Sequence, residues 1–482
     1  MVALNREESF VVIELGGHTT MAMRDITDVN KLPSVCIPTR AGVLKHEDGM
    51  PVENTLLSTP GGQKEASMDT GASETDQDPL TRAKDLDKTT SDAEPIGASD
   101  NDNKDEVTNG QADASTEKKT HTQDSNEDNE YGGVNYIFGA ALVSADENSL
   151  ERTVDIIPDG FVSDWDVLSA FLRHIVTKEL GIRISDNNST IMISVPALWP
   201  KGHLENLAQI AFEHLNAPTI VIMEQSQLAV YGNGAVTGVV VDMGHCLTTV
   251  APVIDSCVQL SCIAQTPVAG AAVNQHLRDL LQADPAIRAQ FDSGSVSLEF
   301  AVALKESGLC RLQLTPADGA SENDTTETQS FVFGGKEYAV SKQIMAKAPE
   351  ILVKPIDPST PTLASLIRQA VLGCEAGRRT QLWESIHLIG GSSQFPGIKD
   401  YLQLELENAV LPASNIFALS QTRDIKFCSL PEYFVGWRNH GHWTSFLGAC
   451  IVGKIVLTDA RHLISRAEYN DSGPSIIHTK SF

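Results

Sequence analysis

The stretch VVVDMGHCLTTVAP, residues 239–252, is a hydrophobic run that ends in an aspartate, a glycine and a polar turn. Three consecutive valines predict a buried strand, because β-branched side chains pack well on a pleated surface. Asp242 and Gly244 at the end of such a strand are typical of a phosphate-handling loop, since glycine lets a backbone approach a ligand closely. Where a second acid and glycine would normally follow, the sequence has His245 and Cys246. The stretch therefore indicates either a nucleotide loop, intact or damaged, or an ordinary hairpin.

Two further strand candidates end in glycine turns. The run SFVVIEL (9–15) leads into Gly-Gly at 16–17, and SIHLI (385–389) leads into Gly-Gly at 390–391. Each turn alone is weak evidence, because Gly-Gly after a strand is usually plain turn chemistry. Three such turns in one chain favour a shared cleft, in which adjacent backbone N–H groups could cradle phosphates.

Between these turns the hydrophobic pattern alternates between strand and helix. Apolar residues recur at helical spacing over 164–180 and 203–216, and short apolar runs at 189–197 and 218–223 predict strands. Alternating elements of this kind are typical of α/β proteins with helices on both faces of a sheet. The sequence predicts a doubly wound α/β fold in two lobes.

Composition limits the possible functions. The net charge of −27 argues against direct binding of nucleic acid, which needs clustered Lys and Arg, and favours a basic partner or simply solubility. The eight cysteines form no CxxC pair, as expected for a reducing compartment. No apolar run reaches the ~18 residues of a membrane helix, so we expect a soluble protein of cytosol or nucleus.

Residues 63–130 differ in composition from the rest. They hold 19 acidic residues against 7 Lys and Arg, a net −12, and no aromatic residue. A segment with so few apolar groups cannot bury enough surface to offset its ordering entropy. Because strand candidates lie on both sides, we predict a long disordered acidic insertion in a surface loop.

Several longer segments carry a resemblance to a known family. They are IIPDGFVSDWDVL (156–168), AQIAFEHLNAP (208–218), LIGGSSQFPGIKDYLQLEL (388–406), FLGACIVGKI (446–455) and SRAEYNDSGPSIIHTKSF (465–482). With them the chain resembles actin and the actin-related proteins over nearly all its length outside the acidic insertion.

The resemblance implies an actin-like fold of the actin, hexokinase and heat-shock chaperone type, with two similar lobes around a nucleotide cleft. It places residues 1–62 and 131–230 in the first lobe and the insertion 63–130 in the small second subdomain. Residues 231–425 would form the second lobe, and 426–482 would return to the first.

The resemblance also implies which residues would form the cleft. Gln209 stands for the glutamine that positions water, Lys305 and Glu306 for the adenine contacts, and Gly390 and Gly391 for the nucleoside contacts. The full set of expected nucleotide-cleft residues is Glu14, Gly16, Gly17, Gln209, Asp242, Gly244, Lys305, Glu306, Gly390 and Gly391.

The phosphate and metal end departs from the family pattern. Actin has a phosphate-contacting lysine where this chain has Met21, and that change removes a charge-assisted contact worth roughly 1.5–3 kcal/mol. His245 replaces an acid that helps organise the cation, and Mg²⁺ prefers hard oxygen ligands. Cys246 replaces a glycine and Thr249 a histidine that orients water. We therefore expect no required cofactor, no metal and no ATP hydrolysis, with residual ATP binding at the nucleoside end as an open alternative.

His245 and Cys246 also raise the question of other chemistry. A single adjacent pair lacks the four-ligand spacing of a zinc site and the partners of a cysteine nucleophile. Free cysteine is usually a small buried hydrophobe. Packing is the expected role of both residues, and Asp242 could simply cap its turn.

A narrower resemblance comes from PEYFVGW (431–437), from VVVDMGHCLTTVAPVIDSC (239–257) and from TPVAGAAVNQHLRDLL (266–281). These segments are similar to the actin-related protein 9 family of fungi. That family implies a nuclear, non-catalytic subunit of SWI/SNF- and RSC-type chromatin remodelling complexes. Its partners would be another actin-related protein, the basic helicase-SANT-associated helix of the remodeller ATPase and other subunits, without direct nucleic-acid or membrane contact.

An actin fold offers a groove suited to an amphipathic helix, and C-terminal aromatic residues could line it. The candidate partner-binding residues are Tyr433, Phe434, Trp437, Trp443 and Phe446. Ordinary core packing is the equal alternative for them, because aromatic residues dominate cores as well as interfaces. Two other functions stay open, a cytoskeletal or dynactin-type actin-related protein and an active actin-type ATPase.

Overall fold

The computed structural model describes residues 4–45, 130–131, 134–313, 327–410 and 424–480. Apart from Glu130, the predicted acidic insertion 63–130 lies outside these residues. In the ranges that are described, no helix is long and apolar enough to cross a membrane.

The described strands, in chain order, are β1 (Val11–Glu14), β2 (Thr19–Arg24), β3 (Val35–Pro38), β4 (Arg40–Leu44), β5 (Glu130–Tyr131), β6 (Val134–Ile137), β7 (Leu150–Asp155), β8 (Thr190–Val195), β9 (Thr219–Glu224), β10 (Gly238–Met243), β11 (Thr248–Ile254), β12 (Cys257–Val258), β13 (Ala264–Thr266), β14 (Thr328–Phe333), β15 (Lys336–Ser341), β16 (Ile386–Ile389) and β17 (Ile464–Ser465). The described helices are α1 (Leu4–Glu8), α2 (Gly139–Val143), α3 (Trp165–His174), α4 (Lys201–Gln209), α5 (Gln225–Gly232), α6 (Gly270–Ala283), α7 (Pro285–Arg288), α8 (Leu298–Glu306), α9 (Lys342–Lys347), α10 (Leu363–Gly373), α11 (Arg379–Trp383), α12 (Ile398–Val410), α13 (Thr444–Thr458) and α14 (Arg466–Ser472). The α/β alternation predicted from the sequence is confirmed.

Helix α3 shows how the local sequence produces its element. The side chain of Asp164 accepts hydrogen bonds from the backbone N–H groups of Asp166 and Val167, which would otherwise be unpaired in the first turn. The apolar face predicted for this segment is buried, and the helix continues through a wider π-type turn at Ile175–Glu179. A cap and one apolar stripe thus define this helix.

One large sheet has six strands in the order β17-β9-β8-β1-β2-β3. Strands β1, β8 and β9 are parallel, whereas β1 and β2 form an antiparallel hairpin. We call the part of the chain built on this sheet the first lobe. Because parallel strands share their direction, the carboxyl ends of β1, β8 and β9 meet at one edge, where open α/β sheets usually bind ligands.

The second large sheet repeats this plan. Its order is β12-β11-β10-β16, with β13 added beside β11. Strands β10 and β11 form an antiparallel hairpin, and β10 pairs in parallel with β16. We call the part built on this sheet the second lobe. Each lobe therefore contains a hairpin beside a parallel strand, and in each the hairpin turn follows an acidic strand end.

Two smaller sheets complete the described architecture. Strands β5, β6, β4 and β7 form a four-stranded sheet, and β14 pairs with β15. Within the four-stranded sheet, the pairing of β4 with β7 shifts register between Val43 and Leu44.

The C-terminal helix α13 packs on the first lobe beside α5. The two helices approach so closely that a Cβ on Gly448 would lie 1.8 Å from the carbonyl oxygen of Leu228. Glycine is required at this crossing, because any side chain would overlap a backbone atom. On the same side, Phe446 and Trp437 join Phe10 and Val12 of the sheet in one buried cluster. The segment from residue 430 thus contributes to the first-lobe core, whereas residues 426–428 still pair with β16 of the second lobe.

Candidate functional site

A cavity of about 550 Å³ lies between the large sheets at the carboxyl ends of their parallel strands. Its volume falls within the roughly 300–1,000 Å³ of small-molecule sites. Nine of the ten expected cleft residues line it, namely Glu14, Gly16, Gly17, Asp242, Gly244, Lys305, Glu306, Gly390 and Gly391. The three strand–glycine turns singled out in the sequence therefore do meet at one cleft.

Glu14 ends β1 and is buried at the edge of this cavity. One carboxyl oxygen accepts a hydrogen bond from the hydroxyl of Ser445, at 2.9 Å, and the other from the hydroxyl of Ser194, at 3.3 Å. Burial raises the pKa of Glu14 to about 8, with Asp242 adding a smaller effect in the same direction. A carboxyl group that stays protonated at neutral pH joins β1 to β8 and α13, and it is a poor ligand for a cation.

Asp242 ends β10 and packs against the glycine turn that follows β16. Gly390 has a φ of 82°, and a Cβ there would lie 2.5 Å from Oδ1 of Asp242 and 2.7 Å from the carbonyl oxygen of Met243. Both the conformation and the close contact exclude other residues. Burial raises the pKa of Asp242 to about 6. The first glycine after β16 is thus explained by packing alone.

Three backbone hydrogen bonds hold the turn after β10 within the chain. The N–H of Gly244 donates to the carbonyl of Leu247 at 3.1 Å. The first two N–H groups of α6, from Gly270 and Ala271, donate to the carbonyls of Gly244 and His245 at 3.0 and 2.8 Å. Helix N-terminal amides otherwise attract phosphates. Here these two are already used to hold the turn.

Side chains fill the place where the two hairpin turns face each other. The Cys246 sulfur lies 2.9 Å from where a Cβ on Gly17 would be, and 3.6 Å from the carbonyl oxygen of Ile157. The rings of His18 and His245 contact each other with their centres 4.6 Å apart. The side chains of His18 and Cys246 thus lie between the two hairpin turns, at the end of the cleft where the resemblance places the phosphates.

The charged residues around the cavity are not suited to binding a polyphosphate, because most of them are acidic. Among the described residues that line it, Lys305 is the sole Lys or Arg, against three acids, Glu14, Asp242 and Glu306. Burial lowers the pKa of Lys305, and burial together with His18 lowers the pKa of His245 to about 4. The imidazole of His245 is therefore neutral at pH 7. The residues present do not fit a magnesium–nucleoside triphosphate.

The structure corrects the assignment of Gln209. This residue is exposed near the end of α4, where its amide donates to Glu213 at 3.1 Å, and it does not line the cavity. The glutamine in the cleft is Gln225, whose amide donates to the carbonyl of Leu15 at 2.8 Å. A signal for Gln225 was present, since it lies just after the strand predicted at 218–223 and directly after β9, at the ligand-binding edge of a parallel sheet.

The structure also corrects the assignment of three of the five aromatic residues to a partner surface. Phe434, Trp437 and Phe446 belong to a first-lobe core cluster and are only 8%, 0% and 0% exposed. The indole N–H of Trp437 donates to the carbonyl of Val29 at 2.8 Å, which completes the burial of its polar atom. Trp443 lines the cavity. Tyr433, at 67% exposed, remains available to a partner.

In the described part of the chain, no group of three or more His, Cys, Asp or Glu side chains is placed to hold a metal ion. His245 and Cys246 contact other protein groups, as their expected packing role requires.

The two-lobed architecture and this cleft are those of an actin-like fold, and comparison with known proteins agrees. The family model described as Actin matches residues 6–482, so the chain belongs to the actin family. It is similar to Actin-related protein 7 of Oryza sativa subsp. indica, with 26% identity over 336 residues, 69% of this chain and 87% of the relative.

Two other relatives show a similar identity to this chain. Actin-related protein 7 of Arabidopsis thaliana is 26% identical over 342 residues, 68% of this chain and 85% of the relative. Actin-like protein 9 of Rattus norvegicus is 25% identical over 328 residues, 67% of this chain and 73% of the relative. These relatives carry the names of actin-related and actin-like proteins, as the resemblance predicted.

Proposed function

We propose that the chain is a non-catalytic scaffold subunit of a nuclear, ATP-dependent chromatin remodelling complex of SWI/SNF or RSC type. In this role it pairs with another actin-related protein on the long basic helix of the remodeller ATPase and supports transcription regulation. Fold alone does not fix function, so the proposal depends on the chemistry of the cleft and of the surface.

The observation that supports the non-catalytic part is the set of side chains at the phosphate end of the cleft. Cys246 and His18 place their side chains between the two hairpin turns, and among the described residues of the cavity Lys305 is the sole Lys or Arg against three acids. The placement in a remodelling complex is supported by the resemblance of 431–437 and neighbouring segments to the fungal family. The net charge of −27 supports a basic partner, because complementary charge speeds association.

Two exposed side chains in the C-terminal region support partner binding. Tyr433 and Val435 are 67% and 66% exposed, and they lie beside Phe434, which anchors the segment in the core. Exposed aromatic residues on a rigid support are frequent hot spots of protein interfaces. Of the five aromatic residues predicted to bind a partner, Tyr433 is therefore the one that would contact the helix.

Purification of the tagged full chain from nuclear extract, with identification of the bound proteins, tests the proposal. We expect another actin-related protein and a remodeller ATPase to co-purify. The variant Tyr433→Ala should weaken capture of the ATPase helix about tenfold, the effect of losing a hot-spot residue. The control Val332→Ala removes an equally exposed apolar residue (64%) on β14 and should change nothing.

Other results would contradict the proposal. A monomer with no affinity for the basic helix would exclude the scaffold role. Sedimentable filaments or cytoplasmic dynactin components would favour the cytoskeletal alternative, and ATP hydrolysis above background would favour an active ATPase.

A further inference from the structure

The hairpin turns of the two lobes touch each other directly, and one short segment of the second lobe makes this contact. In the second lobe, His245, Cys246 and Leu247 follow β10, and all three side chains reach residues of the first lobe. We call this segment, residues 245–247, the cross-lobe turn.

Each residue of the cross-lobe turn has its own counterpart. His245 faces His18, with ring centres 4.6 Å apart. Cys246 contacts Gly17 and the carbonyl oxygen of Ile157.

Leu247 packs so closely on the same loop that its Cδ1 atom lies 2.6 Å from where a Cβ on Gly160 would be. Gly160 has a φ of 81°, so glycine is needed there for its conformation as well as for space. The first-lobe loop is therefore shaped to receive an apolar side chain from the other lobe.

The cross-lobe turn is itself rigidly held. Its ends are the paired strands β10 and β11, and α6 donates two backbone hydrogen bonds to the carbonyls of Gly244 and His245. A turn that is anchored by paired strands at both ends and has close side-chain contacts opens rarely.

From this geometry we propose that the cross-lobe turn is a built-in latch, which holds the lobes together across the cleft without a bound ligand. Cys246 is its central side chain, because it alone contacts both the first hairpin turn and the 157–160 loop. All contacts of the latch lie within this chain. Its stability therefore does not depend on any partner.

Hydrogen exchange of the full chain, read by mass spectrometry, tests the latch. In the wild type we expect slow exchange at 16–18 and 157–160 that added Mg-ATP does not change. In Cys246→Gly, exchange at these two segments should rise at least tenfold, while α10 in the second lobe stays as protected as before. Cys246→Ser, which keeps a polar atom for the carbonyl of Ile157, should restore much of the protection.

A matched control separates the latch from general destabilisation. Cys450 is fully buried in the first-lobe core, so Cys450→Ala should lower the melting temperature without a selective rise at 16–18 and 157–160. Equal exchange in wild type and Cys246→Gly would overturn the proposal, and so would slower exchange of these segments in wild type with Mg-ATP.

Thiol labelling gives a second readout that needs no variant. The latch predicts that a maleimide modifies Cys246 in the folded wild type at least tenfold more slowly than the exposed Cys257 of the same lobe. Comparable rates for the two cysteines would contradict the latch even if every Cys246 variant failed to fold.

Discussion

Replacing Trp437 with alanine should lower the free energy of unfolding by about 3–5 kcal/mol, the usual result of truncating a buried aromatic residue. The side chain is 0% exposed, and its indole N–H pairs with the carbonyl of Val29 at 2.8 Å. Truncation leaves a large cavity and an unpaired carbonyl, and both effects destabilise the fold. Urea denaturation of the wild type and of Trp437→Ala measures the loss.

Tyr433→Ala is the matched control, since it truncates an aromatic residue of the same segment that is 67% exposed. Its unfolding free energy should stay within about 0.5 kcal/mol of the wild type, as for most surface substitutions. Equal losses for the two variants would mean that Trp437 lies on the surface, as the partner-binding prediction from sequence supposed.

Replacing Glu14 with glutamine should stabilise the protein, and the gain should grow with pH. Burial raises the pKa of Glu14 from its ordinary 4.5 to about 8. Below pH 4.5 the group is protonated in both the folded and the unfolded chain. Between pH 4.5 and 8 the unfolded chain ionises while the folded chain does not, so wild-type stability falls as the pH rises.

Glutamine is neutral at every pH and can still pair with the hydroxyls of Ser445 and Ser194. The difference between variant and wild type should therefore be near zero at pH 4.5 and approach about 5 kcal/mol at pH 8 and above. Denaturant titrations at pH 5 and pH 8 measure it.

The exposed Glu299→Gln serves as the control and should show no such trend. If Glu14→Gln instead destabilised the protein at pH 8, Glu14 would be ionised in the folded state and paired with a cation.

The fold was largely predictable because its signals are local. The apolar stripe of α3, its Asp164 cap and the three strand–glycine turns each depend on neighbours in the sequence. The cleft residues next to those turns followed from them. Gln209 and Gln225 show the limit, because each is a glutamine near an apolar run, and only the sheet edge distinguishes them.

The remaining errors concern contacts between distant segments. Trp437 and Tyr433 are four residues apart and chemically alike, yet one is buried and the other exposed. The difference arises because Val29 and α13, which come from other parts of the chain, pack against Trp437. The contact of Cys246 with Gly17 and Ile157 likewise depends on how the two hairpin turns meet, for which no local pattern exists.

The cleft as a whole has the shape of a nucleotide site and the chemistry of a packed interface. Glu14 is protonated and paired with hydroxyls, the first two N–H groups of α6 donate to the chain itself, and Cys246 packs against the opposite hairpin turn. We infer that the family's binding cleft has become a structural junction here, in keeping with the proposed scaffold role.

Titration of ATP with Mg²⁺ into the purified full chain, followed by calorimetry and by the melting temperature, tests this central claim most directly. We expect no saturable heat and no rise in melting temperature at millimolar nucleotide. Saturable binding would contradict the claim, and at a hundredfold excess over its Kd it would stabilise the fold by about 2.7 kcal/mol.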